Sequence, residues 1–142
     1  LEYKTIITSD LLPEIASSYL ALSYEYEQNN QLSESIWSAI HASWICDDDL
    51  NFEASIKCRK HAISLIGKAN SQAELLSSQT GATEAISIDL MRRVGMFQEA
   101  QKLVSQTKEK ELDELVVKVI YYEEMLIKMK NVESHTISEA LL

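Results

Sequence analysis

Apolar residues recur at three- and four-residue steps along much of the chain, which is the period at which one face of an α-helix repeats. The clearest case lies between Lys110 and Lys130, where the steps alternate between three and four. The residues of this row are Leu112, Leu115, Val119, Tyr122, Leu126 and Met129. No run of β-branched residues alternates with polar ones, so the pattern predicts an all-α fold.

Polar clusters and glycines divide this pattern into helices. The predicted helices cover about residues 10–28, 32–47, 52–68, 83–95, 97–107 and 110–130. We expect a lead-in over residues 1–9 with Ser9 or Asp10 as the first helix cap, and a loop or frayed helix end over 69–81. Residues 131–142 are expected to form a short terminal helix or a mobile tail. About six or seven helices would then make a single domain over 1–142, since such a chain buries roughly two thirds of its unfolded surface.

The second predicted helix carries both tryptophans of the chain. Trp37 and Trp44 are seven residues apart, so both rings project to the same side of the helix. Because tryptophan has a large apolar surface, we expect this side of the helix to be buried.

Two separated segments, Tyr19–Ala42 and Ile88–Thr107, each contain two short helices joined by a tight turn. A large apolar residue opens each second helix, and a small residue stands three positions later. These pairs are Leu32 with Ser35 and Phe97 with Ala100. The small residue lets two helix backbones approach closely while larger residues fill the flanks. This arrangement resembles the helix hairpin of the tetratricopeptide repeat (TPR) family.

The resemblance implies antiparallel helix hairpins stacked as a short right-handed superhelix. Such repeats serve as interaction scaffolds, so it also implies a non-enzymatic protein–protein interaction module that binds a peptide or a partner helix in a concave groove. The residues that the resemblance places in this groove are Leu20, Tyr24, Glu27, Asp89, Arg92 and Arg93. A simpler interpretation of the two arginines is a pair of exposed cations favoured by the helix dipole.

The charge of the chain narrows the class of partner. A net charge of −9 and a pI near 4.8 argue against nucleic acid, because phosphate binding requires clustered Lys and Arg. The apolar runs are too short to span a bilayer, and no secretory leader is recognisable. Two cysteines do not make a disulfide framework, so we expect a cytoplasmic protein with a protein or peptide partner.

Candidate chemical sites are weak. Zinc ligands could come from His41, Cys46, Cys58 and His61, but their spacing fits no finger or ribbon. The triplet 47–49 with Asn51 has the alternate spacing of a calcium loop, yet Phe52 stands where the tight turn needs glycine. A Cys–His dyad would have no third group to orient the histidine. We therefore predict no metal, no cofactor and no catalytic residue.

The last long helix has two interpretations. It is either a cap that covers the apolar face of the final hairpin, or the seam of a homodimer. Two alternatives to an interaction module therefore remain open. One is a helical regulatory or ligand-sensing part of a larger protein, and the other is a structural homodimer through this helix.

Overall fold

Every regular element in the described part of the chain is an α-helix. The computed structural model describes residues 13–142. Its seven helices are α1 (Glu14–Gln28), α2 (Leu32–Asp48), α3 (Phe52–Ser71), α4 (Ala82–Arg93), α5 (Phe97–Thr107), α6 (Glu114–Lys128) and α7 (Ile137–Ala140). The predicted all-α fold of six or seven helices is confirmed for these residues. The predicted lead-in and its capping residues Ser9 and Asp10 lie outside the described residues.

The observed helix bounds differ from the predicted ones mainly at two places. Helix α3 continues three residues past the predicted end, and the buried Ala69 explains this because it packs in the last turn. Helix α6 begins four residues later than predicted. The intervening residues form a turn in which the Lys110 N–H donates to the Thr107 carbonyl at 3.0 Å, so α5 ends there before α6 starts.

Five helices end in the same kind of turn, with one residue in the left-handed region. These residues are Asn30, Leu50, Ala73, Gly95 and Lys130, with φ between 51° and 83°. In each case the next N–H donates back to a carbonyl five residues earlier, at 2.8–2.9 Å. This is the Schellman geometry, which satisfies the last carbonyls of a helix.

The chain divides into two compact units, one ending at Glu74 and one spanning Leu75–Leu142. In the first unit α2 packs against both α1 and α3. A core of this unit contains Ala16, Leu20, Ala42, Cys46, Ala54 and Cys58. The single domain over 1–142 and the superhelical stacking of hairpins stay predictions.

In the second unit α4 packs against α5 and α6. Its core contains Ile88, Ala100, Val104, Val116, Ile120 and Ile127. Gly81 precedes α4 with φ +86°, and a Cβ at this position would lie 2.6 Å from a Leu112 side-chain carbon. A glycine is therefore required there both by the backbone and by the approach of the chain that leads into α6.

Buried serines mark the close approach of α1 and α2. Ser23 and Ser35 are completely buried, and the hydroxyl of each donates to the backbone carbonyl of the other at 2.7 Å. These small side chains allow the two helix backbones to come close, as the spacing predicts. The reciprocal hydrogen bonds remove the penalty of burying the two hydroxyls.

Candidate interaction surface

Three of the predicted groove residues lie on α1. Leu20 is completely buried and forms part of the core of the first unit, so its predicted place facing a ligand is corrected. The reason is helical spacing, since Leu20 lies four residues after the buried Ala16. Tyr24 is 48% exposed, and a Glu27 oxygen lies 3.5 Å from Lys68 Nζ.

The other three predicted groove residues lie on α4 and contact one another. Arg92 is completely buried, which corrects both its place in a groove and its interpretation as an exposed cation. Its Nε donates to Glu123 at 2.6 Å and its Nη2 to Asp89 at 3.0 Å. Arg93 Nη1 lies 3.8 Å from the second oxygen of Asp89. These residues therefore stabilise the second unit from within.

Arg92 also fastens the chain after α6. Its Nη1 donates to the backbone carbonyls of Asn131 and Glu133 at 2.8 and 2.9 Å. Further along, the Thr136 hydroxyl accepts from the Glu139 N–H and caps α7. This helix lies in the segment 131–142, for which a short terminal helix or a mobile tail was expected. One buried guanidinium thus holds α4, α6 and the segment before α7 together.

Two carboxylates contact this one buried cation, and the pKa of one of them, Glu123, is raised. Burial of the carboxyl and the nearby charge of Asp89 raise the pKa of Glu123 to about 7, although Arg92 opposes both effects. Because this folded-state pKa exceeds the ordinary value of 4.5, the folded protein holds the proton more tightly than the unfolded chain. The resulting stabilisation is complete below pH 4.5 and is lost as the pH rises through about 7.

We expect the free energy of unfolding to fall by up to about 3 kcal/mol between pH 4.5 and 8 through this group. A Glu123→Gln variant keeps a neutral side chain at the site, so this part of the fall should be absent from it. Urea titrations of both proteins across this range measure the free energy of unfolding at each pH. The difference between the two proteins removes the contribution of groups that titrate in both. Parallel curves for the two proteins would contradict the raised pKa of Glu123.

The four candidate zinc ligands that the sequence offered are not grouped as a metal site. Cys46 and Cys58 are free, buried thiols joined by a hydrogen bond, which with burial raises the pKa of Cys58. His61 is buried, whereas His41 is half-buried. Among residues 13–142, no three His, Cys, Asp or Glu side chains are grouped so that they could hold a metal ion.

One narrow side of α2 remains open, because α1 and α3 pack against the rest of this helix. Along the open side lie Glu34, Trp37, His41, Trp44 and Asp48, at alternating steps of three and four. The prediction that both tryptophans share one side of the helix agrees with this row. The prediction that this side is buried is wrong, since Trp44 is 44% exposed.

Aromatic rings join this row to α1. The His41 ring lies 5.0 Å from Trp44 in an edge-on arrangement, 6.4 Å from Trp37 and 5.4 Å from Tyr19 on α1. On the same side of α1, Ile15 is 61% and Leu22 is 38% exposed. The α1–α2 aromatic face consists of Ile15, Tyr19, Leu22, Trp37, His41 and Trp44. Contiguous apolar surfaces of this kind mark interaction sites.

The charge around this face has one sign. Residues 13–51 carry seven carboxylates and no Lys or Arg. Glu27 pairs with Lys68, and Asp47 accepts from Arg59 at 3.1 Å, so α3 neutralises these two. The other five carboxylates are exposed, and they are Glu14, Glu25, Glu34, Asp48 and Asp49. The exposed charged side chains of α1 and α2, the two helices that form the aromatic face, are therefore all negative.

Helix α6 covers α4 and α5 with one side, as a capping helix would. The predicted row along it does not form one exposed seam, because Leu126 is buried while Leu115 and Met129 are exposed. Tyr121 and Met125 add to the exposed side. The homodimer through this helix stays a prediction.

Neither protein-family models, nor characterised proteins, nor solved structures match this chain. Within residues 13–142, no helix combines the length and the apolar character needed to cross a membrane. The surface chemistry of the described residues is therefore the basis for a functional assignment, and the α1–α2 aromatic face is its most distinctive part.

Proposed function

We propose that this chain is a non-enzymatic protein-interaction module and that the α1–α2 aromatic face is the surface that binds a partner protein. The observation that carries this proposal is the open row of α2, in which Trp44 is exposed and Trp37 and His41 are half-buried on an otherwise packed helix. Aromatic residues are enriched at protein interfaces, where tryptophan often supplies a large share of the binding energy.

Two buried arginines, Arg92 and Arg59, have structural partners within the protein. Arg92 is occupied by Glu123, Asp89 and two backbone carbonyls. Arg59 is occupied by Asp47 and by Ser55. Both guanidiniums therefore bind partners within the protein, which supports a structural role for them.

The aromatic face differs from the groove that the TPR resemblance implies. Tyr24 lies five residues after Tyr19 on α1, which places it about 140° further around the helix. A partner in the implied groove would therefore contact Tyr24, whereas a partner on the aromatic face would contact Trp44. This separation makes the two surfaces distinguishable by substitution.

A cytoplasmic location is part of the proposal. The thiols of Cys46 and Cys58 share a hydrogen bond and are not joined by a disulfide, which suits a reducing compartment. The acidic balance around the aromatic face favours a protein partner over nucleic acid or an anionic membrane.

The test compares capture from cell lysate by the wild-type chain and by Trp44→Ala, Tyr24→Ala and Leu75→Ala variants. Leu75 is an exposed apolar residue of the second unit and serves as the matched control. Captured proteins are identified, purified and titrated against each variant. We expect Trp44→Ala to weaken binding about thirtyfold or more, because a central interface tryptophan contributes at least about 2 kcal/mol.

The midpoint temperature of thermal unfolding is compared for the three variants. Equal midpoints show that a loss of binding does not result from a loss of folding. Tyr24→Ala and Leu75→Ala should bind as the wild type does. Loss of binding in Tyr24→Ala with full binding in Trp44→Ala would move the site to the implied groove. A partner that binds all four proteins equally would exclude both surfaces.

A further inference from the structure

We infer that the partner of the α1–α2 aromatic face is an amphipathic helix that carries lysine or arginine at both ends of a short apolar stretch. This inference rests on the proposed function and adds the chemistry of the partner. It draws on the spacing of the open row on α2, on the position of its carboxylates and on the charge of the surrounding chain.

The spacing of the row favours a helical partner. Residues at alternating steps of three and four make the seam against which another helix packs its side chains. The row from Glu34 to Asp48 spans 15 residues, or about 21 Å of helix. No strand occurs in the chain from residue 13 onward, so an extended peptide finds no sheet edge there.

The order of residues along the row specifies where the partner carries its charges. The middle of the row is aromatic, with Trp37 and Trp44 about two helical turns apart. Each end is a carboxylate, Glu34 near the start of α2 and Asp48 at its last residue. A complementary helix therefore has an apolar stretch of about two turns with a cation beyond each end.

The attraction is stronger at the carboxyl end of α2. Asp48 and Asp49 are both exposed there, and the carboxyl end of a helix carries a partial negative charge of its own. Glu34 is exposed near the start of α2, and Glu25 is exposed near the end of α1. No lysine or arginine between residues 13 and 51 offsets these charges.

The same charges disfavour other occupants. A second copy of this chain would bring two rings of carboxylates together, and like charges facing each other at an interface cost several kcal/mol. Nucleic acid and anionic lipid carry the same sign as the rim of the face. A cationic helix is the occupant that gains from both the aromatic centre and the acidic ends.

The experiment uses three synthetic helical peptides that share one leucine stretch and differ in the residues outside it. These residues are lysine, glutamine or glutamate. Both tryptophans of the chain belong to the aromatic face, so intrinsic tryptophan fluorescence reports binding at this surface when the peptides contain no tryptophan. We expect the lysine peptide to bind at least tenfold more tightly than the glutamine peptide, and the glutamate peptide not to bind.

Substitutions in the protein distinguish binding at a specific site from attraction to the overall negative charge of the chain. The strip variant is Glu34→Gln with Asp48→Asn, and the control is Glu109→Gln with Glu111→Gln, two exposed carboxylates of the second unit. Both variants change the net charge equally. We expect the strip variant to bind the lysine peptide five- to tenfold more weakly, and the control to bind it as the wild type does.

Each outcome decides between the proposals. Equal affinity for all three peptides, lost in Trp44→Ala, would overturn the cationic partner and leave the aromatic face as a binding surface. Equal weakening in the strip and control variants would overturn the assigned positions of the cations, and so would absence of binding by the lysine peptide. Self-association abolished by Trp44→Ala in sedimentation would assign the face to a second copy instead.

Discussion

Replacement of Arg92 by leucine is expected to lower the free energy of unfolding by about 3–5 kcal/mol at pH 8, because it leaves buried partners without their cation. Glu123 and Asp89 would face each other without the guanidinium between them. The carbonyls of Asn131 and Glu133 would also lose their donor. Urea unfolding followed by circular dichroism measures the change.

The loss should depend on pH and on Glu123. At pH 5 the cost of Arg92→Leu should be smaller, since Glu123 is then protonated and its burial is less unfavourable. Addition of Glu123→Gln to the Arg92→Leu variant should recover part of the stability at pH 8. As a control, Lys118→Leu breaks an exposed pair with Glu114 and should change stability by no more than about 0.5 kcal/mol. A comparable, pH-independent loss in both variants would contradict the role of the buried cluster.

Leu20→Ala is expected to lower the free energy of unfolding by about 2–5 kcal/mol, because it leaves a cavity in the core of the first unit. Leu20 is completely buried beside Ala16 and belongs to a core that α1, α2 and α3 share. The urea concentration at the midpoint of unfolding should fall, with little change in the slope of the unfolding free energy against urea concentration. Chemical unfolding of the purified chain is the measurement.

Tyr24→Ala provides the matched comparison on the same helix. Tyr24 is about half exposed, so its truncation should cost well under half of the Leu20→Ala loss. A loss below about 1 kcal/mol for Leu20→Ala, together with weaker partner binding, would return Leu20 to the implied groove. The pair of variants thus decides whether this position of α1 acts in folding or in recognition.

The Arg92 cluster and the aromatic face differ in burial and in chemistry. The first is a buried polar arrangement whose partners come from α4, α6 and the segment that follows α6. The second is an exposed apolar arrangement within α1 and α2, with acidic residues around it. The Arg92 cluster and the proposed recognition surface therefore share no residue, so variants of one should leave the other measurable.

Local sequence determined the helices well, because helical periodicity and turn chemistry act over a few residues. The turns at Asn30 and Gly95 are recognisable, since these two residue types adopt the left-handed conformation readily. Leu50 and Ala73 adopt the same conformation without such a preference. The polar residues nearby predict that the helices end there, but only the folded chain reveals that Leu50 and Ala73 are the residues in this conformation.

Tertiary structure alone decided which side of each helix is buried. The seven-residue spacing of Trp37 and Trp44 places both on one side of α2, but their exposure depends on α1 and α3 occupying the other sides. Arg92 looks like an exposed cation at a helix end until Glu123, 31 residues later, approaches to 2.6 Å. Sequence periodicity defines the faces of a helix, whereas burial depends on contacts between residues far apart in the chain, which no local pattern contains.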